Sequence, residues 1–123
     1  MNSFPGFGPP GTLTAGTSLV KNPVAVNSVT TQAHGLGAIP DFYIAYMECL
    51  TAQANYSVGN RIDLRSMDVS NGNSSAEFVA DTTNVVLLLP NNLPLIYDKT
   101  TPTTGVTPTA ASWKIVVIPY KLN

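Results

Sequence analysis

The sequence predicts an all-β fold, an antiparallel β-sandwich of jelly-roll or immunoglobulin-like size with about seven or eight strands. Short segments rich in β-branched and aromatic residues recur along the chain, and clusters of Gly, Pro, Asn and Ser separate them. The segments are spaced by roughly ten residues, as in sandwiches and barrels, and no window shows helical periodicity. The 123 residues suffice for one domain with one core, but not for two.

Residues 1–16 are too rich in glycine and proline to form a helix or a central strand. We expect an extended N-terminal arm whose apolar anchors Phe4, Phe7 and Leu13 contact a neighbouring subunit, followed by a sandwich domain over residues 17–123. Fully extended, such an arm reaches roughly 50 Å, which exceeds the diameter of a small domain. The alternative is a tail that folds back on its own domain.

A tight structural corner at residues 30–42 connects the first two predicted strands, Val24–Gln32 and Phe42–Ala52. Gly35 and Gly37 can take positive φ where the backbone reverses, and Pro40 favours extended backbone at the entry to the second strand. Both alternating faces of that second strand are apolar. Such a strand lies centrally in a sheet or at a subunit interface.

Further strands are predicted from alternating or continuous apolar residues between turn signals. Pro119 is expected to lie at a sheet edge because proline cannot donate a ladder hydrogen bond. Residues 99–111 are too long for a simple hairpin and are expected to be a functional or interfacial loop. The predicted strands are Arg61–Val69, Ala76–Ala80, Val85–Leu89, Leu95–Asp98 and Ser112–Leu122, with an Asn-Gly hairpin loop at residues 70–75.

The composition argues against several classes of protein. Charged residues make up 11% of the chain and the net charge is -1, so long-range attraction to nucleic acid or to an anionic membrane is absent. No apolar run approaches the ~20 residues of a membrane helix, and the N-terminus does not resemble a signal peptide. The single cysteine, Cys49, lies in an apolar strand and is expected to be a buried, inert thiol.

No catalytic constellation stands out, so we expect neither enzymatic activity nor a cofactor or metal site. His34 is the single histidine, and we expect it to cap the corner through hydrogen bonds to the backbone. Two other readings remain open: a metal or anion held by three copies of His34 on a threefold axis, and a dyad with Cys49. Glu48 lies in an apolar strand and needs a cationic partner, for which Arg61, Arg65 and Lys114 are candidates.

Four large aromatic residues are candidates for a subunit interface, because a surface poor in charge suits burial against another protein. They are Tyr43, Tyr97, Trp113 and Tyr120.

Four motifs, in order, resemble small virion proteins of tailed bacteriophages. The first is His34-Gly35-Leu36-Gly37 followed by Pro40-Asp41-Phe42. The others are Tyr56-Ser57-Val58-Gly59-Asn60, Thr83-Asn84-Val85 and Trp113-Lys114-Ile115-Val116-Val117, so the likeness covers roughly residues 31–117. Asn60 departs from the pattern, which has an acidic residue there. The resemblance implies a β-sandwich that assembles, often as a trimer, in capsid shells, head fibres or tail fibres, and it implies no catalytic residues.

The sequence therefore favours a structural protein of a virion, made in the host bacterial cytoplasm. It would be a capsid decoration, cement or head-fibre subunit that forms a homo-oligomer and docks on the major capsid protein or another virion protein. The alternative is a tail-fibre tip domain that binds host cell-surface glycan. Neither nucleic acid nor membrane is an expected partner.

Overall fold

The computed structural model describes residues 11–64 and 76–123. This part of the chain is built from antiparallel strands and a short 3-10 turn at Ala110–Ser112, which confirms the predicted all-β, sandwich-like fold. Ten strands are described rather than the predicted seven or eight. The strands are β1 Leu13–Ala15, β2 Leu19–Lys21, β3 Ser28–Ala33, β4 Phe42–Cys49, β5 Arg61–Asp63, β6 Glu77–Ala80, β7 Asn84–Leu89, β8 Ile96–Asp98, β9 Thr101–Val106 and β10 Trp113–Leu122.

The strands form a large sheet, a small sheet and a hairpin. In the large sheet β10 pairs with β4 on one side and with both β1 and β2 on the other, and β4 also pairs with β5. The small sheet has the order β3-β7-β6, and β8 pairs with β9 as a separate hairpin. The long strand β10 is thus the centre of the large sheet, as its nearly continuous apolar sequence favours.

The core lies between the two sheets. In β10 and β4 the odd-numbered residues point inward, and Trp113, Ile115, Val117 and Met47 are fully buried there. From the small sheet, Val85, Leu87 and Leu89 of β7 face them. The alternation of buried and more exposed residues along β7 and β4 follows the two-residue period of a strand.

Three predicted elements differ from the structure. The strand predicted to begin at Val24 begins at Ser28 instead. Val24 is buried, but it lies outside the strands, and the chain turns into β3 at Asn27, which takes a positive φ of 53°. The predicted loop at residues 99–111 contains β9. The strand predicted from Arg61 is described only as Arg61–Asp63, and its later part and the Asn-Gly loop lie outside the described residues.

Pro119 lies in a central strand, not at an edge, and the structure shows why this is tolerated. The carbonyl of Pro119 accepts a hydrogen bond from the Gly16 N–H at 2.8 Å, at the break between β1 and β2. In an antiparallel strand the N–H and C=O of one residue point to the same side. The missing N–H of Pro119 therefore faces the interruption in the edge strand, where the ladder needs no donor from it.

The last residues of the expected arm lie on their own domain. Leu13 pairs with Leu122 and Ala15 with Tyr120, so residues 13–15 are a strand of the large sheet. The Gly11 N–H also donates to the Asn123 carbonyl at 2.7 Å. The backbone hydrogen bonds of β10 recruit this segment although its sequence is poor in strand formers. Phe4 and Phe7 lie outside the described residues.

Candidate functional site

The corner predicted from sequence joins the two sheets. His34 follows β3 of the small sheet, and its carbonyl accepts the Thr17 N–H at 2.9 Å between β1 and β2 of the large sheet. Its own N–H donates to the Thr83 carbonyl in the turn before β7. Gly35 and Gly37 both take positive φ, at 73° and 72°, so the backbone reverses where the sequence predicts.

The His34 ring is buried and satisfied by backbone on both sides. Its Nδ1 accepts the Leu36 N–H at 3.0 Å and its Nε2 donates to the Asp81 carbonyl at 2.8 Å. These two bonds require the neutral tautomer with the proton on Nε2. Neither ring nitrogen is free, so coordination of a metal on a threefold axis would break the corner. Cys49 is buried and its thiol contacts the Thr51 carbonyl at 3.2 Å, which leaves the dyad without a hydrogen-bonded link to His34.

Gly16 is a further constraint of the corner, which the sequence analysis missed. A Cβ placed at Gly16 would lie 2.8 Å from the His34 carbonyl oxygen and 3.0 Å from Leu36 Cγ. A backbone atom and a buried side chain thus occupy the space that any other residue type would need. The signal could not be found in a single sequence, because it depends on the approach of segments that are distant along the chain.

Pro40 and Asp41 continue the corner into the large sheet. Pro40 is buried, and the Asp41 N–H donates to the Tyr120 carbonyl at 2.8 Å. The Asp41 carboxylate accepts the Leu122 N–H at 2.7 Å and the Lys121 ammonium at 2.9 Å. The hydrogen bond from Leu122 is the largest cause of the lowered pKa of Asp41, and the hydrogen bond from Lys121 acts in the same direction. The start of β4 is thereby fixed to the end of β10.

The four aromatic residues predicted for an interface separate into two groups. Trp113 is fully buried, and its Nε1 donates to Gln53 Oε1 at 2.8 Å, so it cannot contact another chain. Tyr43 points inward and packs edge-on against Phe78 of the small sheet. The expectation for Trp113 is corrected, because residue 113 has the inward parity of its strand. Tyr43 shares that parity but is only partly buried, so its place in an interface stays a prediction. Tyr97 and Tyr120 lie on the surface side, Tyr97 with 53% of its surface exposed.

The outer face of the large sheet, defined as the face that points away from the small sheet, is unusually apolar. Its rows follow from the register of β10 with β4: Lys114 beside Glu48, Val116 beside Tyr46, Ile118 beside Ile44, and Tyr120 beside Phe42. Val20 extends the second row and Leu13 pairs with Leu122 beyond the fourth. Five of these side chains, Leu13, Val20, Phe42, Ile44 and Leu122, keep between 38% and 52% of their surface exposed.

Two contacts hold the aromatic side chains of this outer face in place. The rings of Phe42 and Tyr120 stack with centroids 5.1 Å apart and an interplanar angle of 12°. The Arg61 guanidinium carbon lies 4.3 Å from the centre of the Tyr46 ring. Ordered aromatic side chains lose little conformational entropy on binding, so they suit an interface.

At one end of the outer face, a carboxylate forms ion pairs with two cationic side chains. The Glu48 carboxylate lies 3.0 Å from Arg61 Nε and 3.4 Å from Lys114 Nζ. Two of the three cationic partners considered from sequence are thus found, and Arg65 lies outside the described residues. The hydrogen bond from Arg61 is the main cause that lowers the pKa of Glu48, and Lys114 contributes in the same direction.

The β8–β9 hairpin carries a second, polar surface. The Asp98 carboxylate accepts hydrogen bonds from Asn55 Nδ2 at 2.9 Å and from the Thr100 N–H at 3.0 Å. These bonds lower the pKa of Asp98, with Asn55 the larger cause. Lys99 Nζ donates a hydrogen bond to Asn60 Oδ1 at 2.9 Å. Tyr97, the residue before Asp98 in β8, has an exposed side chain.

Within residues 11–64 and 76–123, no three His, Cys, Asp or Glu side chains come together in a way that could hold a metal ion. In the same ranges no helix is long and apolar enough to cross a bilayer. Comparisons with protein-family models, with curated proteins and with solved structures find no match.

Proposed function

We propose that this chain is a structural subunit of a bacteriophage virion, a capsid decoration or head-fibre protein. It would form a homotrimer and dock on the major capsid protein or another virion protein through its N-terminal arm. The observation that carries the proposal is the apolar outer face of the large sheet, on which large side chains remain about half exposed. Exposed apolar patches of this kind mark protein-protein contacts.

The energy available from this face suits assembly. Burying a half-exposed Val, Leu, Ile or Phe side chain contributes about 1 kcal/mol, so the five exposed side chains contribute about 5 kcal/mol per copy before ordering costs. The low charge content, 11% of residues, means that few charges need to be desolvated on contact. Subunits that bind only the assembled shell stabilise it by mass action, which is the expected mechanism of a cement protein.

The arm would supply the docking contact. The described chain begins at Gly11, beside Asn123 at the C-terminal end of β10. Ten residues precede Gly11, and they reach roughly 35 Å when extended. Phe4 and Phe7 are the large apolar residues on that segment.

The experiment that tests the proposal uses particles of the phage that encodes the chain, prepared without this protein. Purified protein added back should bind the heads with a fixed copy number and raise the temperature at which they release DNA. A chain with Phe4→Ser and Phe7→Ser should bind more weakly while keeping its circular dichroism spectrum and its melting temperature. Failure of the unmodified protein to bind any part of the particle would refute the proposal.

The second candidate, a tail-fibre tip domain that binds host glycan, is favoured by the surface around Tyr97. An exposed aromatic ring beside carboxylate, amide and ammonium groups can stack on a sugar and bind its hydroxyls. Labelled wild-type protein would then bind host cells, Tyr97→Ala would reduce this binding, and the protein would be absent from tailless heads. Binding to tailless heads together with no binding to cells would reject this candidate.

A further inference from the structure

We propose that, before docking, the outer face of the large sheet is covered by the chain's own leading segment, defined as residues 1–10. This segment folds back from Gly11 and packs Phe4 and Phe7 on the apolar rows. The inference deepens the proposed function and rests on it, since the segment that docks on the particle first covers the face. Docking draws the segment away, and the segment and the face then contact the particle together.

The leading segment joins the domain at the apolar end of the outer face. Gly11 donates its N–H to the Asn123 carbonyl at 2.7 Å, at the C-terminal end of β10. The nearest row is Leu13 beside Leu122, and both side chains are about half exposed. The charged row that contains Glu48 lies at the opposite end of the face. A segment that turns back from this point therefore meets apolar side chains first.

Gly11 turns the chain out of the line of β1. Its φ is 87°, in the region that favours glycine, whereas a continuing strand would have an extended φ. Pro10 precedes it, and a Pro-Gly pair is typical of the two central residues of a type II turn. Such a turn reverses the chain and brings Pro9 opposite Thr12. Because residues 13–15 are a strand of their own domain, the reversal directs the leading segment back over that same domain.

The length of the leading segment matches the apolar rows. An extended or polyproline II chain rises about 3.1–3.3 Å per residue, close to the rise of the strands beneath it. Counted back from the turn, Phe7 lies between the Leu122 row and the Tyr120 row, and Phe4 lies level with Ile118. The start of the segment comes level with the charged row and does not cross it. The segment therefore reaches every apolar row of the face.

The residue types of the leading segment suit burial on an apolar surface. None of the side chains of residues 1–10 is charged, so no side-chain charge loses its water on contact. Pro5, Pro9 and Pro10 have no N–H that would need a new partner. Proline favours polyproline II, whose turn of three residues places Phe4 and Phe7 on the same side of the chain. Both rings can pack on the face while the backbone stays hydrated on its other side.

The area of the outer face fits one such segment better than a second protein. The eight residues of β4 span about 26 Å and four strands span about 15 Å, which gives on the order of 400 Å² in projection. A ten-residue segment about 31 Å long and about 10 Å wide covers on the order of 300 Å². Stable protein-protein interfaces bury about 800 Å² on each partner. The face alone offers about half of that area, whereas the face and the released segment together approach it.

The test locates the leading segment by paramagnetic broadening of NMR signals, with the full chain in dilute solution. Ser3→Cys provides the site for a nitroxide label, and the buried Cys49 does not compete for the reagent. The backbone amide signals of Ile44 and Ile118 should lose at least half of their intensity relative to the sample with reduced label. Val29, on the outward side of the small sheet, is the internal control and should keep its signal.

Substitutions on both sides of the contact make the result decisive. Phe4→Ser with Phe7→Ser removes the two anchors, and Ile44→Lys puts a charge on the face beneath them. Each change should restore at least half of the lost intensity. Leu122→Lys, at a residue that is 52% exposed, serves if Ile44→Lys fails to fold by circular dichroism. Val29→Lys is the matched control, at a residue that is 68% exposed, and should leave the broadening unchanged.

A mixed sample shows whether the segment covers its own copy or another. It combines nitroxide-labelled copies that give no NMR signal with isotope-labelled copies that carry no nitroxide, and no broadening is expected. Broadening in this mixture as strong as within one copy, equal broadening of both sheets, or no broadening of the outer face would each overturn the inference. The proposed function would fail separately, in the particle-binding experiment. Protein that binds heads but shows no contact between segment and face would keep the virion role and lose only this inference.

Discussion

Gly16→Ala should destabilise the domain, because the corner leaves no room for a side chain at this position. The added Cβ would lie 2.8 Å from the His34 carbonyl oxygen, a distance that real Cβ atoms essentially never show, and 3.0 and 3.1 Å from Leu36 Cγ and Cδ1. The carbonyl cannot move away cheaply, since it also accepts the Thr17 N–H at 2.9 Å. Gly16 itself is held by its hydrogen bond to the Pro119 carbonyl at 2.8 Å.

The expected magnitude follows from the cost of overpacking. Insertion of a methyl group into closely packed surroundings costs about 1–3 kcal/mol. For a domain of this size, each kcal/mol lowers the melting temperature by about 4 °C, so Gly16→Ala should melt about 4–12 °C below the wild type. Thermal unfolding followed by circular dichroism measures this, at one protein concentration, because an assembling protein melts in a concentration-dependent way.

Gly105→Ala is the matched control for this experiment. Gly105 lies on the exposed strand β9, and an added Cβ there would meet only Leu95 Cδ1, at an ordinary 3.9 Å. The same substitution should therefore leave the melting temperature unchanged or raise it slightly, because alanine restricts the unfolded chain more than glycine does. Equal melting temperatures for Gly16→Ala and Gly105→Ala would refute the reasoning about the corner.

Three other substitutions and a change of pH test the rest of the fold. His34→Ala should lower the free energy of unfolding by about 2–4 kcal/mol in urea titrations, since it leaves a cavity and two backbone groups without partners. Gln53→Ala should cost about 1–3 kcal/mol and shift the near-ultraviolet signal of Trp113, whose indole N–H would lose its acceptor; an unchanged signal would contradict that hydrogen bond. Stability should hold above about pH 5 and fall below about pH 4, because carboxyl groups with a lowered folded-state pKa bind protons more tightly in the unfolded chain. Asp81→Asn should flatten this decline, since the N–H groups of Asn84 and Thr83 lower the pKa of Asp81; an equally steep decline would show that Asp81 does not contribute. The groups concerned are Asp41, Glu48, Asp81 and Asp98.

The fold class and most strands could be predicted because they depend on local pattern. β4, β6, β7 and β10 lie within one to three residues of the predicted ends, since each has apolar residues bounded by turn signals. Strand β1 could not be predicted, because glycine and proline surround it and only its pairing with the end of β10 makes it a strand. Strand β9 is similar: its Thr-Pro-Thr-Thr-Gly sequence is extended because β8 lies beside it.

The position of Pro119 shows how a correct local rule led to a wrong placement. Proline removes a donor, and an edge is the usual place where none is needed. Here the neighbouring strand is interrupted between β1 and β2, so a position without need of a donor occurs in the middle of the sheet. The rule concerns the missing hydrogen bond, and only the tertiary structure shows where the sheet can do without it.

Side chains alternate between the buried face and the outer face along β10 and β4, so the position of an aromatic residue in its strand decides whether it is accessible. The sequence alone did not show which of the two faces is the buried one. In β10, Trp113 has the parity of the buried Ile115 and Val117, whereas Tyr120 has that of Ile118 on the outer face. In β4 both faces are apolar, and the sequence allowed either a central position or an interface. The structure places β4 centrally, between β10 and β5, which explains its odd-numbered residues. Its even-numbered residues lie on the outer face, where Ile44 keeps 43% of its surface exposed.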